Sequence, residues 1–511
     1  MQKGYLLGVD IGTYSSKGAL VTTDGKVVEK SSIPHEVSIP NPGWMEHDAD
    51  DVWMHDFLFI VKDLLSKTGI DPKEILGIGV SSICSAMLLL DKDRKPLRPS
   101  ILYGVDTRTT VEVEEIKKDL GTFVSNQNIP PKMRWVQKHE PQVWAKTRHI
   151  FSGHHYIIMK LTGEINQNLN DIHNYYPLYN DSILNWDKNY FEYFNVDPQI
   201  MPELVWTTDV VGRVTKEGAL LSGLAEGTPV VGGANDAAVE AVSGGVVIPG
   251  DMMMMYGSSN IYHMITDGPF KGEHIKSLRS MTKDRYATGG GLATVGSLTT
   301  WFRNQLGAPE LMAEKAGGEN TFAALSKLTS QSRIGSNGLI MLPYFSGERN
   351  PIFDGNATGM FFGLNLTHTR ADMYRAMLES IGFGIRHCLE PFWADNLIPD
   401  HIYAVGGGVH NLPWMQIVSD ICNIRQEIPV EKIGSCYGDA FLAAVGIGLY
   451  EKVADVKQWV KIETIIEPDP AAHAEYQEYY DIYRELYPAN KELMHRLSAI
   501  QKRTQKKKSL N

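Results

Sequence analysis

Several signatures that would place this chain in a familiar class are missing from it. It holds only four cysteines, Cys84, Cys388, Cys422 and Cys436, far apart and without a C-x-x-C pair. That excludes a disulfide framework and a cysteine zinc site, and it fits reduced thiols in a cytoplasm. No run of ~20 apolar residues occurs, so no segment is expected to span a membrane. The N-terminus also lacks the charged-then-apolar order of a signal peptide. Basic residues are in deficit, 49 Lys and Arg against 60 Asp and Glu, for a net charge of −11. No basic face for nucleic acid is implied. The chain has no G-x-x-x-x-G-K-[ST], and no G-x-G-x-x-G follows its first apolar run. Neither P-loop chemistry nor a dinucleotide fold has its main signature.

What is present points elsewhere. A length of 511 residues predicts two or more domains, and 43% hydrophobic with 21% charged residues is ordinary for a globular protein. Residues 5–9 read as a buried strand that ends on Asp10. Gly12 permits a tight turn, with Thr13, Ser15, Ser16 and Lys17 crowded around it, and two further strands follow, joined at Asp24-Gly25. Such a turn suits a phosphate chain, and the adjacent carboxylate suits a metal-bound water. The plainer alternative is a surface hairpin rich in Ser and Thr. The theme returns at residues 251–264, where a methionine-rich strand, Gly257-Ser258-Ser259 and a second strand follow one another. Residues 229–236 form another strand that runs through glycines to an aspartate, Asp236, and residues 402–411 form a strand leading to Gly406-Gly407-Gly408 and Asn411. Strand and helix alternate, as in an α/β protein. Asp48 or Asp50 is expected to cap a helix through Trp53, Phe57, Ile60 and Leu64, and Met87 to Leu90 reads as a hairpin mate of residues 75–82. His154-His155 is the most tempting metal pair among sixteen histidines, but on a strand the two would face opposite ways, with no carboxylate at ligand spacing.

Two hydroxyl-rich phosphate turns, a glycine-rich turn of nucleotide size and two strand-end aspartates together spell phosphoryl transfer. That reaction needs phosphates held, charge neutralised by Mg²⁺ and one carboxylate to take the acceptor's proton. Asp10, beside the phosphate turn, belongs with the metal through water, and Asp236 is left for the acceptor. Asp236 also precedes a helical run, so a helix N-cap is its alternative role.

On these motifs the chain resembles the FGGY family of carbohydrate kinases over about residues 4–450. Asp10-Ile11-Gly12-Thr13 matches the first phosphate loop and Gly233-x-x-Asp236 the general-base segment. Gly257-Ser258 matches the second phosphate loop, Gly296 with Trp301 a nucleotide-contacting helix start, and Gly406-Gly407 with Asn411 the adenosine turn. Ser346 to Pro351 resembles the S-G-E-R-x-P turn, and residues 359–364 with Asp372 and Glu379 resemble the C-terminal signature. The resemblance implies two actin-like, ribonuclease H-like α/β domains, each a mixed sheet flanked by helices, with a catalytic cleft between them. Their expected spans are 1–244 on the sugar side and 245–485 on the nucleotide side, with a C-terminal helix and basic tail at 486–511. It implies ATP and Mg²⁺ as cofactors, a small sugar as partner, a cytoplasmic enzyme without nucleic-acid or membrane partners, and a homodimer as one admissible assembly. Cofactor contacts are expected at Asp10, Gly12, Thr13, Ser15, Lys17, Gly257, Ser258, Gly296, Gly406, Gly407 and Asn411.

The departures concern the acceptor. Xylulokinases of the family carry Gly-Gln-Met-His-Gly where this chain has Ser82-Ile83-Cys84-Ser85-Ala86, so Cys84 and Ser85 stand at sugar-contacting positions. The family's W-x-D-x-R appears as Tyr103-Gly104-Val105-Asp106-Thr107-Arg108, which keeps Asp106 for the sugar. A missing imidazole puts plain D-xylulose in doubt, and the Arg-Glu pair of glycerol kinases is absent. A xylulose-like ketopentose or related sugar or polyol is expected. The alternatives are a chaperone-like or actin-like ATPase and an inactive sugar-binding relative.

Overall fold

The first apolar run becomes the strand Tyr5–Ile11, buried along nearly its whole length because both its faces are covered. The computed structural model describes residues 3–272, 277–280 and 285–508. Its contacts divide the chain into two units: residues 1–247, 278–286 and 433–460 form unit 1, and residues 248–277, 287–432 and 461–511 form unit 2.

Unit 1 is built on a mixed sheet in the order Val210–Arg213, Pro229–Val231, Ile75–Ser82, Tyr5–Ile11, Ser15–Thr22, Val27–Pro34. Ile75–Ser82 runs parallel to both of its neighbours, and the outer pairs are antiparallel. Helices His55–Thr68 and Gly153–Thr162 cover one part of the sheet, and Ser435–Gly446 lies against Tyr5–Ile11 and Ile75–Ser82. Register explains that last contact. Gly8 sits opposite Gly79, and a Cβ at either would come within 1.9 Å of the Cys436 carbonyl or 2.1 Å of the Asp439 carbonyl. Two adjacent bare positions let a helix backbone rest directly on the sheet.

The same close approach corrects the expected domain limits. Residues 433–460 were expected in an unbroken second domain, but they belong with unit 1, because the helix Ser435–Gly446 buries its small residues against the first sheet. The expected limit at 485/486 falls inside one helix, Pro470–Lys508. Tyr476, Tyr480, Tyr483, Leu486 and Met494 keep helical spacing along it and are buried in the unit 2 core. The last three residues of the basic tail lie outside the described residues. Leu88–Leu90 is also not the hairpin mate of Ile75–Ser82: it pairs with His149–Phe151, while Ile75–Ser82 takes Tyr5–Ile11 as its partner. Asp48 does cap its helical segment, accepting from the amides of Asp50 and Asp51.

Unit 2 repeats the plan. Its sheet runs from residues 287–290 through Asn260–Thr266, Asp251–Tyr256, His401–Val405 and Gln426–Pro429 to Ile462–Ile466. The centre is again a hairpin followed by two parallel pairings and an antiparallel edge. Met252, Met253 and Met254 are buried strand residues. The long helix Arg370–Ala394 and the helix Leu412–Cys422 pack together in this unit. Among the described residues, no helix is long and apolar enough to cross a membrane.

Candidate active site

In unit 1 the strand register brings the chemistry together. Asp10 lies between Lys17 on one neighbouring strand and Ser81 on the other. The turn beyond it is tight, with the Gly12 amide donating to the Ser15 carbonyl at 3.1 Å. A side chain at Gly12 would meet that carbonyl at 2.6 Å. The turn is also braced by groups that sequence reasoning missed. His35 Nε2 lies 3.2 Å from the Gly12 carbonyl and its Nδ1 lies 2.7 Å from Asp56. His47 Nε2 lies 3.1 Å from the Thr13 carbonyl, while its Nδ1 accepts from the Trp53 indole N–H. Burial pushes His47 down to about 4, so it is neutral and donates through Nε2. The Thr13 hydroxyl lies 3.1 Å from that of Tyr103.

Behind Asp10 stands a cluster of carboxylates. The Ser81 hydroxyl lies 3.1 Å from Asp10 and 2.6 Å from Asp439. Asp439 is the lone charged residue in its helix, and that isolation was the available signal for it. Burial raises the carboxyls of Asp10, Glu240 and Asp439, with Lys17 the opposing charge at Asp10 and Glu240. Asp236 starts the helix Asp236–Ser243 but is not its N-cap: Asn235 takes that place and accepts from the Ala238 amide at 2.8 Å. Among the described residues, Asp236 accepts from the Ala237 amide alone, at 2.8 Å. Although partly exposed, it is crowded by protein, and burial followed by the Asp10 charge pushes it up to about 8.

The expected sugar-contacting residues separate. The Cys84 sulfur accepts from Asn174 at 3.0 Å and stands close enough to Asp171 and Asp236 for their charges to act on it, with burial holding the thiol protonated. Ser85 is buried and its hydroxyl bonds the Gln127 carbonyl, while its own carbonyl accepts from Lys132 Nζ at 2.7 Å. Burial brings Lys132 down to about 7. Asp106, expected at the sugar, is instead 1% exposed and spent on protein donors. It accepts from the Met45 amide at 2.7 Å and from Arg108 through backbone, Nε and Nη2. It fixes a loop, and Arg108 goes on to Glu46 and the Trp44 ring.

His154 and His155 open a helix rather than lie on a strand, so their rings face the same region, and with Asp171 they form a potential ligand trio. Their lone pairs are already committed. His155 Nε2 accepts from the Asn168 amide at 3.0 Å, and His154 Nε2 faces Asn168 Nδ2 at 2.6 Å. A neutral imidazole has one lone pair, so a metal would have to displace both bonds.

Unit 2 gathers the other expected set. A pocket of about 540 Å³ is lined by Gly257, Ser258, Gly296, Gly407 and Asn411. Gly406 is not among the lining residues, but its φ of 90° turns the chain so that Gly407 and Gly408 are. The Gly296 amide donates to the Gly257 carbonyl at 2.9 Å, and a Cβ at Gly296 would come within 2.4 Å of that oxygen. Asn320, Phe322 and Ser326 also line the pocket, and sequence reasoning missed them. The C-terminal signature proves to be scaffolding. Asp372 accepts from Ser332 and Asn337, and Glu379 from the Gly335 amide and Ser336, which ties down a segment with four consecutive positive φ angles. Glu348 of the S-G-E-R-x-P turn accepts from the Ala293 amide at 2.7 Å and so anchors the approach to Gly296.

Comparisons with known proteins identify the family. The model of the N-terminal domain of the FGGY family of carbohydrate kinases matches residues 5–243, and that of the C-terminal domain matches residues 252–447. A xylulose kinase of Staphylococcus epidermidis is 28% identical over 96% of this chain and 98% of its own. A gluconokinase of Bacillus subtilis is 27% identical over 87% of this chain and 88% of its own. The crystal structure of xylulose kinase from Rhodospirillum rubrum superposes with a TM-score of 0.85 at 29% identity, covering 96% of this chain and all of the other.

Proposed function

The chain belongs to the FGGY family of carbohydrate kinases and is an ATP-dependent phosphotransferase, and from that premise we propose that it phosphorylates a hydroxyl of a xylulose-like ketopentose or close sugar relative, in the cytoplasm. The observation that carries the reading is Asp236, whose carboxylate has one oxygen on a backbone amide and stands in the carboxylate group around Asp10. The attacking hydroxyl gives its proton to the other Asp236 oxygen as its own oxygen bonds the γ-phosphorus and ADP leaves. A base that titrates near neutral pH takes a proton readily without being always protonated. The Gly12–Thr13 turn offers a backbone amide and a hydroxyl to phosphate. The unit 2 pocket, walled by glycines, takes the nucleoside end of ATP.

Mg²⁺ fits the residues present. Burial raises the carboxyls of Asp10, Asp236 and Asp439, the Asp10 charge adds to the rise at Asp236 and Asp439, and Lys17 offsets Asp10; a divalent cation would relieve that repulsion. Asp10 would hold it through water. When bound it supplies charge neutralisation at the phosphates. Cys84 borders the acceptor region, whereas Ser85 and Asp106 support it from behind.

The test is a panel of ketopentoses, aldoses, polyols and sugar acids, each assayed for ADP release and for a phosphorylated product by phosphorus NMR. Stoichiometric product from a ketopentose is expected. ATP hydrolysis that yields no phosphorylated acceptor across the panel would overturn the reading in favour of a nucleotide-driven clamp.

A further inference from the structure

We propose that Asp171 reads the acceptor, taking hydrogen bonds from hydroxyls beside the one that reacts, and so selects neutral polyhydroxylated substrates over sugar acids of similar size. The inference rests on the assignment of unit 1 as the acceptor side of a carbohydrate kinase.

Asp171 is 2% exposed, and among the described residues none gives a hydrogen bond to either of its carboxylate oxygens. Asn235, Cys84 and Asn168 approach it closely enough to draw its pKa down, but without hydrogen-bond geometry at either oxygen. Burial outweighs them and brings the group up to about 6. His154 Nε2, 3.4 Å away, is no donor. That nitrogen faces Asn168 Nδ2, so the ring proton sits on Nδ1 against Ser82, and burial keeps the ring neutral. An unpaired buried carboxylate is costly, and proteins retain such groups where a ligand completes them.

Its surroundings say which ligand. Asp171 raises the pKa of Asp236 through space and acts on the Cys84 thiol, so it borders the proposed base. A group that completes it must donate hydrogen bonds and be small, as vicinal hydroxyls are. It must also carry no negative charge. Asp10 and Glu240, like Asp171, press on Asp236, and the neighbouring cations are engaged: Lys132 bonds the Ser85 carbonyl and Arg108 is closed on Asp106 and Glu46. A sugar acid would bring its carboxylate against these acids, and among the described residues the remaining nearby cation, Lys17, already offsets Asp10 and Glu240. A metal ion is disfavoured by the committed lone pairs of His154 and His155.

Asp171→Asn keeps the shape and removes the charge. The wild-type enzyme should prefer neutral ketoses and polyols over gluconate. In the variant, KM for the best neutral acceptor should rise about 10- to 100-fold, the usual effect of losing a hydrogen bond to a charged group, while KM for ATP stays within about twofold. The neutral-over-gluconate ratio of kcat/KM should shrink by a similar factor. Because the unliganded protein loses an unsatisfied charge, its thermal midpoint should equal or exceed that of wild type. Unchanged selectivity, a lower midpoint or a misfolded variant would overturn the proposal and make Asp171 structural. So would a wild-type preference for gluconate, or stoichiometric zinc that the variant loses. A wild-type enzyme that phosphorylates no acceptor overturns the kinase reading itself, an outcome distinct from all of these.

Discussion

Asp236→Asn should make the protein more stable, and by an amount that grows with pH. The folded chain holds this carboxyl at about 8 against an ordinary 3.8, burial first and Asp10 second. A raised acid pKa favours the neutral form in the fold. The associated stability is fully present below 3.8 and is lost progressively as pH rises to 8. At about 1.4 kcal/mol per unit, the whole shift corresponds to about 5–6 kcal/mol above pH 8. Asp10 shares that cost, so the single substitution should recover about half, about 2–3 kcal/mol. For a unit of this size that is about 5–10 °C in thermal midpoint at pH 9. At pH 5 the wild-type group is protonated in the fold, and the difference should fall to about 2 °C or less. Circular dichroism melts of both proteins without nucleotide, at pH 5, 7 and 9, measure it. A difference that stays constant across that range, or a variant that melts lower at pH 9, would refute the electrostatic account of this cluster.

In unit 2, Gly296→Ala places a Cβ 2.4 Å from the Gly257 carbonyl and should displace the Ser258 loop, raising KM for ATP about tenfold or more in steady-state assays. Gly407→Asp meets nothing within 4 Å, so it should fold normally yet weaken ATP binding by calorimetry, since its carboxylate enters the pocket. Gly8→Ala forces a Cβ to 1.9 Å from the Cys436 carbonyl. Overpacking of this kind costs about 1–3 kcal/mol, and with backbone as the obstacle the upper end is expected, seen as a drop of about 5–10 °C in thermal midpoint.

The sequence made the repeated strand–turn–strand units legible because glycine and hydroxyl residues at a turn leave a local mark, as at Gly12 and Gly257. Of the pocket set, Gly257, Ser258, Gly407 and Asn411 were readable for the same reason, and Gly296 only through the family resemblance. What could not be read was long-range. Residues 433–460 return to unit 1 because bare Gly8 and Gly79 accept a helix from over 350 positions away, and nothing near Ser435 signals that destination. Asp106 looked like a sugar ligand by its motif, yet its donors come from Met45 and Arg108. Asp171 was overlooked because His154-His155 read as a strand pair; on a helix they face the same region as its carboxylate.

The most direct test of the account is phosphoryl transfer by Asp236→Asn at saturating ATP, Mg²⁺ and the best acceptor. The amide keeps the shape and the bond from the Ala237 amide but cannot take the acceptor's proton. A positioned base typically supplies ~10²- to 10⁴-fold. Turnover should therefore fall at least a hundredfold, with ATP and sugar affinities within about twofold of wild type. Near-parental turnover in a folded variant would contradict the account and place the base elsewhere.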